Sequence, residues 1–248
     1  MNEQRVTLIT GGSRGIGRSI ALALAKEGYP VVLTYRTNRT KAEEAASQII
    51  SDGGRALVVE MAVEDRRSIC EALQIVRSEW GGISILINNA AIAQEKPFET
   101  ITDGDWDDML NINLRGAFAC VQEVLPDMLG QGWGRIVNIT SIGGQWGGVN
   151  QVHYAVSKAG LIGLTRSLAK VYSGKGITTN ALAPGLVATE MSILELNTEA
   201  GKEKVKNIPV GRIGYQSEVS SAVVYLVSND AGYITGQTIN INGGMYFG

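Results

Sequence analysis

Cysteine and histidine are nearly absent from this sequence: only Cys70, Cys120 and His153 occur in 248 residues. Two distant thiols match neither a disulfide framework nor the spacing of a zinc ligand pair, so two buried free thiols and no metal site are expected. There is no basic excess either. A formal net charge of -2 argues against a nucleic-acid backbone or an anionic membrane surface as partner. No window approaches 18 consecutive apolar residues, and the apolar stretch after Arg5 is too brief for a secretory signal. By default the cytoplasm is the expected location. Internal repeats, low-complexity tracts and Pro/Gly/Ser linkers are missing as well, which predicts one domain over residues 1–248.

What the chain does have is ordinary globular composition, 44% hydrophobic and 19% charged, and a regular alternation of two patterns. Runs rich in Val and Ile fall at residues 6–10, 31–35, 55–60, 83–88, 135–139, 177–182 and 237–241. Their near-continuous apolar character suits parallel strands covered on both faces. Between them the spacing turns helical, as in Ile16, Ile20 and Leu24, or Ile69, Ala72, Leu73 and Val76. Gly28 and Gly53-Gly54 mark helix ends, and Thr102 with Asp105 reads as a capping box before a long helix. The prediction is an α/β fold: a doubly wound parallel sheet of about seven strands with helices on both faces. Residues 186–210, with Met191, Leu194 and Leu196 among Glu and Lys, attach to no strand and are expected to form a substrate lid or a packed surface helix.

The first strand runs into Gly11-Gly12-Ser13-Arg14-Gly15-Ile16-Gly17 and then a helix. Glycines there allow a tight turn and let main-chain N–H groups approach a pyrophosphate at a helix N-terminus. Two other chemistries overlap the same residues. Gly11-Gly12-Ser13-Arg14-Gly15 matches the elbow of serine hydrolases, but that mechanism needs a histidine base. The only candidate is His153. Residues 12–19 nearly match the phosphate loop of nucleotide hydrolases, except that Arg18 stands where lysine should be, and the strand at 83–88 leads into Asn88-Asn89 rather than a magnesium-holding carboxylate.

Tyr154 and Lys158 are one helical turn apart in a segment of helical pattern and share a face. A cation near a phenol favours phenolate and brings the group toward useful acid/base chemistry. The same pair could be a surface contact. Ser141 changes that balance, because it lies just past the strand at 135–139, at the edge where open α/β sheets place ligands. Asn113, within a helical pattern, is either a solvated residue or the anchor of a water beside Lys158.

Together these residues resemble the short-chain dehydrogenase/reductase family, and within it the 3-oxoacyl-carrier-protein reductases. The likeness covers essentially the whole chain. Residues 10–17 resemble the family's glycine loop, Asn88-Asn89-Ala90 its fourth-strand motif, and Asn113, Ser141, Tyr154 and Lys158 its catalytic four. Pro184-Gly185, with Val187 and Thr189, resembles the segment that meets nicotinamide, and Asn242-Gly243-Gly244 the C-terminal motif. The resemblance implies a Rossmann-type fold and a carbonyl reductase. Tyr154 would exchange the proton, Ser141 polarise the carbonyl, Lys158 lower the tyrosine pKa and hold the nicotinamide ribose, and Asn113 support a proton path. Gly11, Ser13, Arg14, Gly15, Ile16, Gly17, Tyr35, Arg36, Val63, Asn89 and Ala90 would complete the dinucleotide site. Substrate would meet Ser141, Gln151 and Tyr154, with Gln145 and Trp146 around the mouth and His153 either contacting substrate or packing at a helix start.

NADP(H) is the expected cofactor. The second strand ends Leu33-Thr34-Tyr35-Arg36 without the carboxylate that binds ribose hydroxyls, whereas Arg14 and Arg36 suit a 2'-phosphate. The sequence departs from the family at Ala91, usually glycine, and at Ala62-Val63, usually aspartate-valine. It also departs in the turn Gly130-Gln131-Gly132-Trp133, which lacks the basic residues of carrier-protein users. A 3-oxoacyl thioester is the expected substrate, a small polar ketone or sugar the alternative, and a catalytically retired dinucleotide sensor the distant one. A homotetramer is expected from the resemblance, paired through helices near 103–129 and 151–172, with the apolar tail Met245-Tyr246-Phe247 reaching a neighbour's cleft or folding onto its own chain.

Overall fold

The computed structural model describes residues 5–189 and 198–248. Each apolar run forms a strand: β1 Val6–Ile9, β2 Val31–Tyr35, β3 Ala56–Glu60, β4 Ile83–Asn88, β5 Gly134–Ile139, β6 Ile177–Pro184 and β7 Thr238–Ile241. They pair in parallel as one sheet of order β3-β2-β1-β4-β5-β6-β7. Every residue of β1, β2, β4, β5 and β6 is buried, as continuous apolar character predicts, while the edge strands β3 and β7 are only partly covered.

The helices are α1 Gly15–Lys26, α2 Arg39–Ser51, α3 Arg66–Trp80, α4 Asp103–Leu110, α5 Gly116–Gln131, α6 Gly143–Trp146, α7 Val152–Tyr172, α8 Glu199–Lys206 and α9 Gln216–Val227. Successive strand residues feed opposite cores. Ile9, Leu33 and Ile87 pack with Ile20, Leu24, Ile49 and Val223 from α1, α2 and α9. Leu8, Val32 and Leu86 pack with Ile69, Leu73, Val121 and Val124 from α3 and α5. The period of two along each strand thus serves two helical layers. This is the doubly wound, Rossmann-type architecture.

The long helix predicted after Thr102 begins at its capping box, with Asp105 N–H donating to Thr102 Oγ1 at 3.2 Å and Thr102 N–H to Asp105 Oδ2 at 2.9 Å. It does not run uniformly. Between α4 and α5 lies one wide π turn, Asn111–Arg115, and Asn113 sits in it. Cys120 is buried as expected, but Cys70 is exposed on the outer side of α3, which corrects the expectation of two buried thiols. Of the segment 186–210, Val187 bridges Gly214 and α8 follows Thr198, whereas Met191, Leu194 and Leu196 lie outside the described residues. Among the described residues no helix is long and apolar enough to cross a membrane.

Candidate active site

Chain order reverses between β1 and β4, which opens a crevice at their C-terminal ends. The strand ends there are laced together. Asn89 and Ala90 each donate a backbone N–H to Thr10 Oγ1 at 2.9 Å, and Asn89 Nδ2 donates to the Thr10 and Gly11 carbonyls at 3.0 Å. Gly11 N–H donates to Thr34 Oγ1 at 3.2 Å, joining β2 to the same knot. Gly17 is required by this packing: a Cβ would run into the Gly11 carbonyl and lie 2.5 Å from Asn89 Nδ2.

The loop suits a pyrophosphate for a different reason. Gly15 opens α1 at φ +55°, and among the described residues the place of its absent Cβ meets nothing nearer than Thr189 Cγ2 at 3.9 Å. The first turn of α1 carries no acidic residue, so nothing opposes an anion at the positive end of the helix. A cleft of about 550 Å³ extends from Tyr35 and Arg36 past this loop to Ser141 and Tyr154. Every residue expected to hold the dinucleotide lines it, from Gly11, Ser13 and Arg14 through Val63, Asn89 and Ala90 to Pro184, Gly185, Val187 and Thr189. Those residues come from strand ends far apart in sequence, and the sheet register brings them to one wall.

At the inner end of the cleft, Ser141 follows β5 and accepts from Gly143 N–H at 3.1 Å, which fixes its hydroxyl oxygen and leaves its proton to donate. Burial pushes the Tyr154 phenol above its ordinary range, and its hydrogen bond with Ser141 pulls it partly back. Lys158 is buried, donates to the Ile139 carbonyl at 2.9 Å, and is held by desolvation down to about 8. Its ammonium stands 5.6 Å from the centre of the Tyr154 ring.

Asn113 is placed differently from the other three. Its carboxamide binds the backbone of Ile92 on both sides, accepting from the N–H and donating to the carbonyl, each at 2.9 Å. Nδ2 also donates to Ser157 Oγ at 3.1 Å, and Ser157 Oγ donates to the Tyr154 carbonyl at 2.7 Å. Asn113 therefore ties the loop after β4 to the first turns of α7, and the wide π turn lets its side chain reach both.

Some expected mouth residues lie elsewhere. His153 is fully buried, with Nε2 2.8 Å from Gln94 Oε1, because one residue along a helix turns its side chain about 100° away from Tyr154. Gln151 reaches Glu95 at 3.4 Å rather than the cleft, and Gln145 is bound to Asn240 at 2.5 Å. Trp146 stays half exposed, edge-on to Tyr246 with ring centroids 6.3 Å apart, and Met245 packs beside Gly185, so the C-terminal tail folds against its own cleft. Sequence reasoning missed Glu64, Asn38, Ile92 and Thr140, which also line the cleft. For Glu64 the only signal was its position one residue past Val63.

The comparisons with known proteins agree with this geometry. The family described as enoyl-(acyl carrier protein) reductase matches residues 11–246. The chain is 41% identical over 239 residues to a 3-oxoacyl-[acyl-carrier-protein] reductase of Staphylococcus epidermidis, covering 96% of this chain and 98% of that protein. It is 39% identical over 246 residues to the enzyme of that name from Staphylococcus aureus, covering 99% and 100%. It is 42% identical over 245 residues to an acetoacetyl-CoA reductase of Rhizobium meliloti, covering 98% and 99%. With a parallel Rossmann-type sheet, a glycine loop at its switch point and likeness over nearly the full length of each relative, the chain belongs to the short-chain dehydrogenase/reductase family, whose members are nicotinamide-dependent oxidoreductases of CH–OH and C=O groups.

Proposed function

We propose that the chain is an NADPH-dependent reductase of 3-oxoacyl thioesters, taking a ketone to a secondary alcohol. The observation that carries this reading is Tyr154, a phenol buried against Ser141 at the inner end of the cleft. The bound dinucleotide supplies the hydride. Main-chain N–H groups of residues 13–17 would hold its pyrophosphate, and Lys158 its nicotinamide ribose. Asn89, Ala90, Pro184, Gly185 and Thr189 would flank the nicotinamide end.

Ser141 donates a hydrogen bond to the substrate carbonyl oxygen, and Tyr154 delivers its proton to that oxygen as charge develops. Burial keeps the phenol protonated through neutral pH, the form a donor needs. Lys158 offers a cation to the phenolate left behind. Asn113 acts at one remove, through Ser157, by fixing the turn from which Tyr154 projects.

NADPH rather than NADH is supported by the end of β2, where Tyr35 and Arg36 stand in place of a carboxylate, and by Arg14, which lines the same cleft. The substrate class is supported by the relatives, whose names describe reductases of 3-oxoacyl thioesters. Since the turn Gly130-Gln131-Gly132-Trp133 carries no basic side chain, the acyl thioester and not a carrier protein is the recognised part. The test follows NADPH absorbance with acetoacetyl-CoA, the matching carrier-protein thioester and a panel of free polar ketones. Both thioesters should turn over, the CoA form at least as well, and Tyr154→Phe should lower kcat about 10²–10⁴-fold with NADPH binding retained. Turnover confined to free ketones would overturn the thioester assignment.

A further inference from the structure

Arg36 does not stand free at the adenosine end of the cleft. Its guanidinium is paired with Glu64, NH1 to Oε1 at 3.0 Å, although β2 itself supplies no carboxylate. Glu64 comes from the loop after β3, lines the same cleft, and has its second oxygen, Oε2, buried without a hydrogen-bond donor among the described residues. The main chain at Glu64 is held by Arg115, whose NH1 donates to the Glu64 carbonyl at 3.3 Å, so only the side chain can change partner. Arg14 lines the same cleft.

We propose that Glu64 and Arg36 form a two-position switch for the adenosine ribose, which narrows the preference for NADPH and admits NADH as a second cofactor. The proposal rests on the nicotinamide-dinucleotide reading above. Glu64 Oε2 is a buried acceptor lacking a donor, and a ribose 2'-hydroxyl is a donor. With that hydroxyl present, Glu64 accepts from it and keeps Arg36 through Oε1. A 2'-phosphate has no proton to give at neutral pH and repels the carboxylate, so Arg36 must leave Glu64 to bind it. The exchange is feasible because the Arg36 side chain is 58% exposed and the Glu64 side chain 28%. Ion pairs this open to water are weak and readily traded. Glu64 therefore restores, from the third strand's loop, the carboxylate that the end of the second strand lacks.

Equilibrium titration of NADPH and NADH by nicotinamide fluorescence, with adenosine 2',5'-bisphosphate and 5'-AMP as competing fragments, tests this without any turnover. Wild type should bind both dinucleotides. In Glu64→Gln, NADPH should bind more tightly and NADH no better, widening the ratio of dissociation constants about ten-fold, and the bisphosphate should gain over 5'-AMP in the same direction. In Arg36→Gln, NADPH should weaken by about ten-fold while NADH is little changed, since Glu64 reaches the hydroxyl through Oε2 with or without Arg36. A Glu64→Gln ratio within about two-fold of wild type would overturn the switch and leave the dinucleotide reading intact. If Glu64→Gln does not fold, as judged by circular dichroism, an NADPH affinity in Arg36→Gln within about two-fold of wild type overturns it instead. Wild type that binds neither dinucleotide would defeat both readings.

Discussion

Lys158 shows how one side chain can serve chemistry at a cost to the fold. An ordinary lysine titrates near 10.5, and burial brings this one to about 8. Between those values the unfolded chain holds a proton that the folded chain has lost, so stability rises with pH through that window; below about pH 8 both states are charged and the full penalty stands. The penalty is on the order of 3 kcal/mol. Lys158→Met removes it and forfeits one hydrogen bond from the ammonium to the Ile139 carbonyl, worth about 2 kcal/mol. The variant is therefore expected to melt roughly 2–4 °C higher at pH 7 while losing reductase activity, and the gain should shrink as pH approaches 10. Calorimetry across that range checks it, and a lower melting temperature at pH 7 would refute the account. Tyr154, Lys158 and Ser141 were legible in the sequence because spacing on a helix and position after a strand are local facts. In the folded chain a hydrogen bond with Ser141 pulls the phenol down, and Lys158, which donates to the Ile139 carbonyl, stands 5.6 Å from the ring centre. Glu64 was illegible, because its meaning depends on meeting Arg36 across two loops.

At the scale of elements, the site is held by polar side chains that bridge the sheet and one helix. Asn138 in β5 is fully buried, accepts from Asn88 Nδ2 at 2.8 Å and donates to Thr165 Oγ1 at 2.8 Å. Asn88 immediately precedes the Asn89-Ala90 wall of the cleft, and Thr165 lies on α7, the helix of Tyr154 and Lys158. Asn138→Ala leaves the buried Asn88 amide without its acceptor, while Thr165 keeps its hydrogen bond to the Leu161 carbonyl at 2.7 Å, so it should cost about 2 kcal/mol. Urea unfolding is the check, and a loss below about 1 kcal/mol would mean that the neighbours re-pair. The strands and most helices were readable from apolar period alone. The π turn at Asn113 was not, for its cause is the backbone of Ile92, which reaches α5 only in the folded chain.

The whole molecule presents apolar side chains on the two helices that the family resemblance singles out for pairing. Phe118 on α5 is 41% exposed, and Val156 and Val171 on α7 are 41% and 58% exposed. We propose a homotetramer that covers these helices. Light scattering at micromolar concentration should give about four times the 26.4 kDa of one chain, and a mass near that of a single chain would overturn it. Phe247 is 85% exposed beyond the Trp146–Tyr246 contact, and in the proposed tetramer it is the part of the tail that would meet a neighbour. The sequence by itself determined the strand runs and their alternation with helices, the glycine loop and the spacing of Tyr154 and Lys158, because each is a pattern of residues close together in the chain. Only the tertiary structure decided that Glu64 joins Arg36, that Asn113 grips Ile92 and that His153 turns inward to Gln94. Those contacts join segments distant in the chain, and their geometry exists only once the strands have set the loops beside one another.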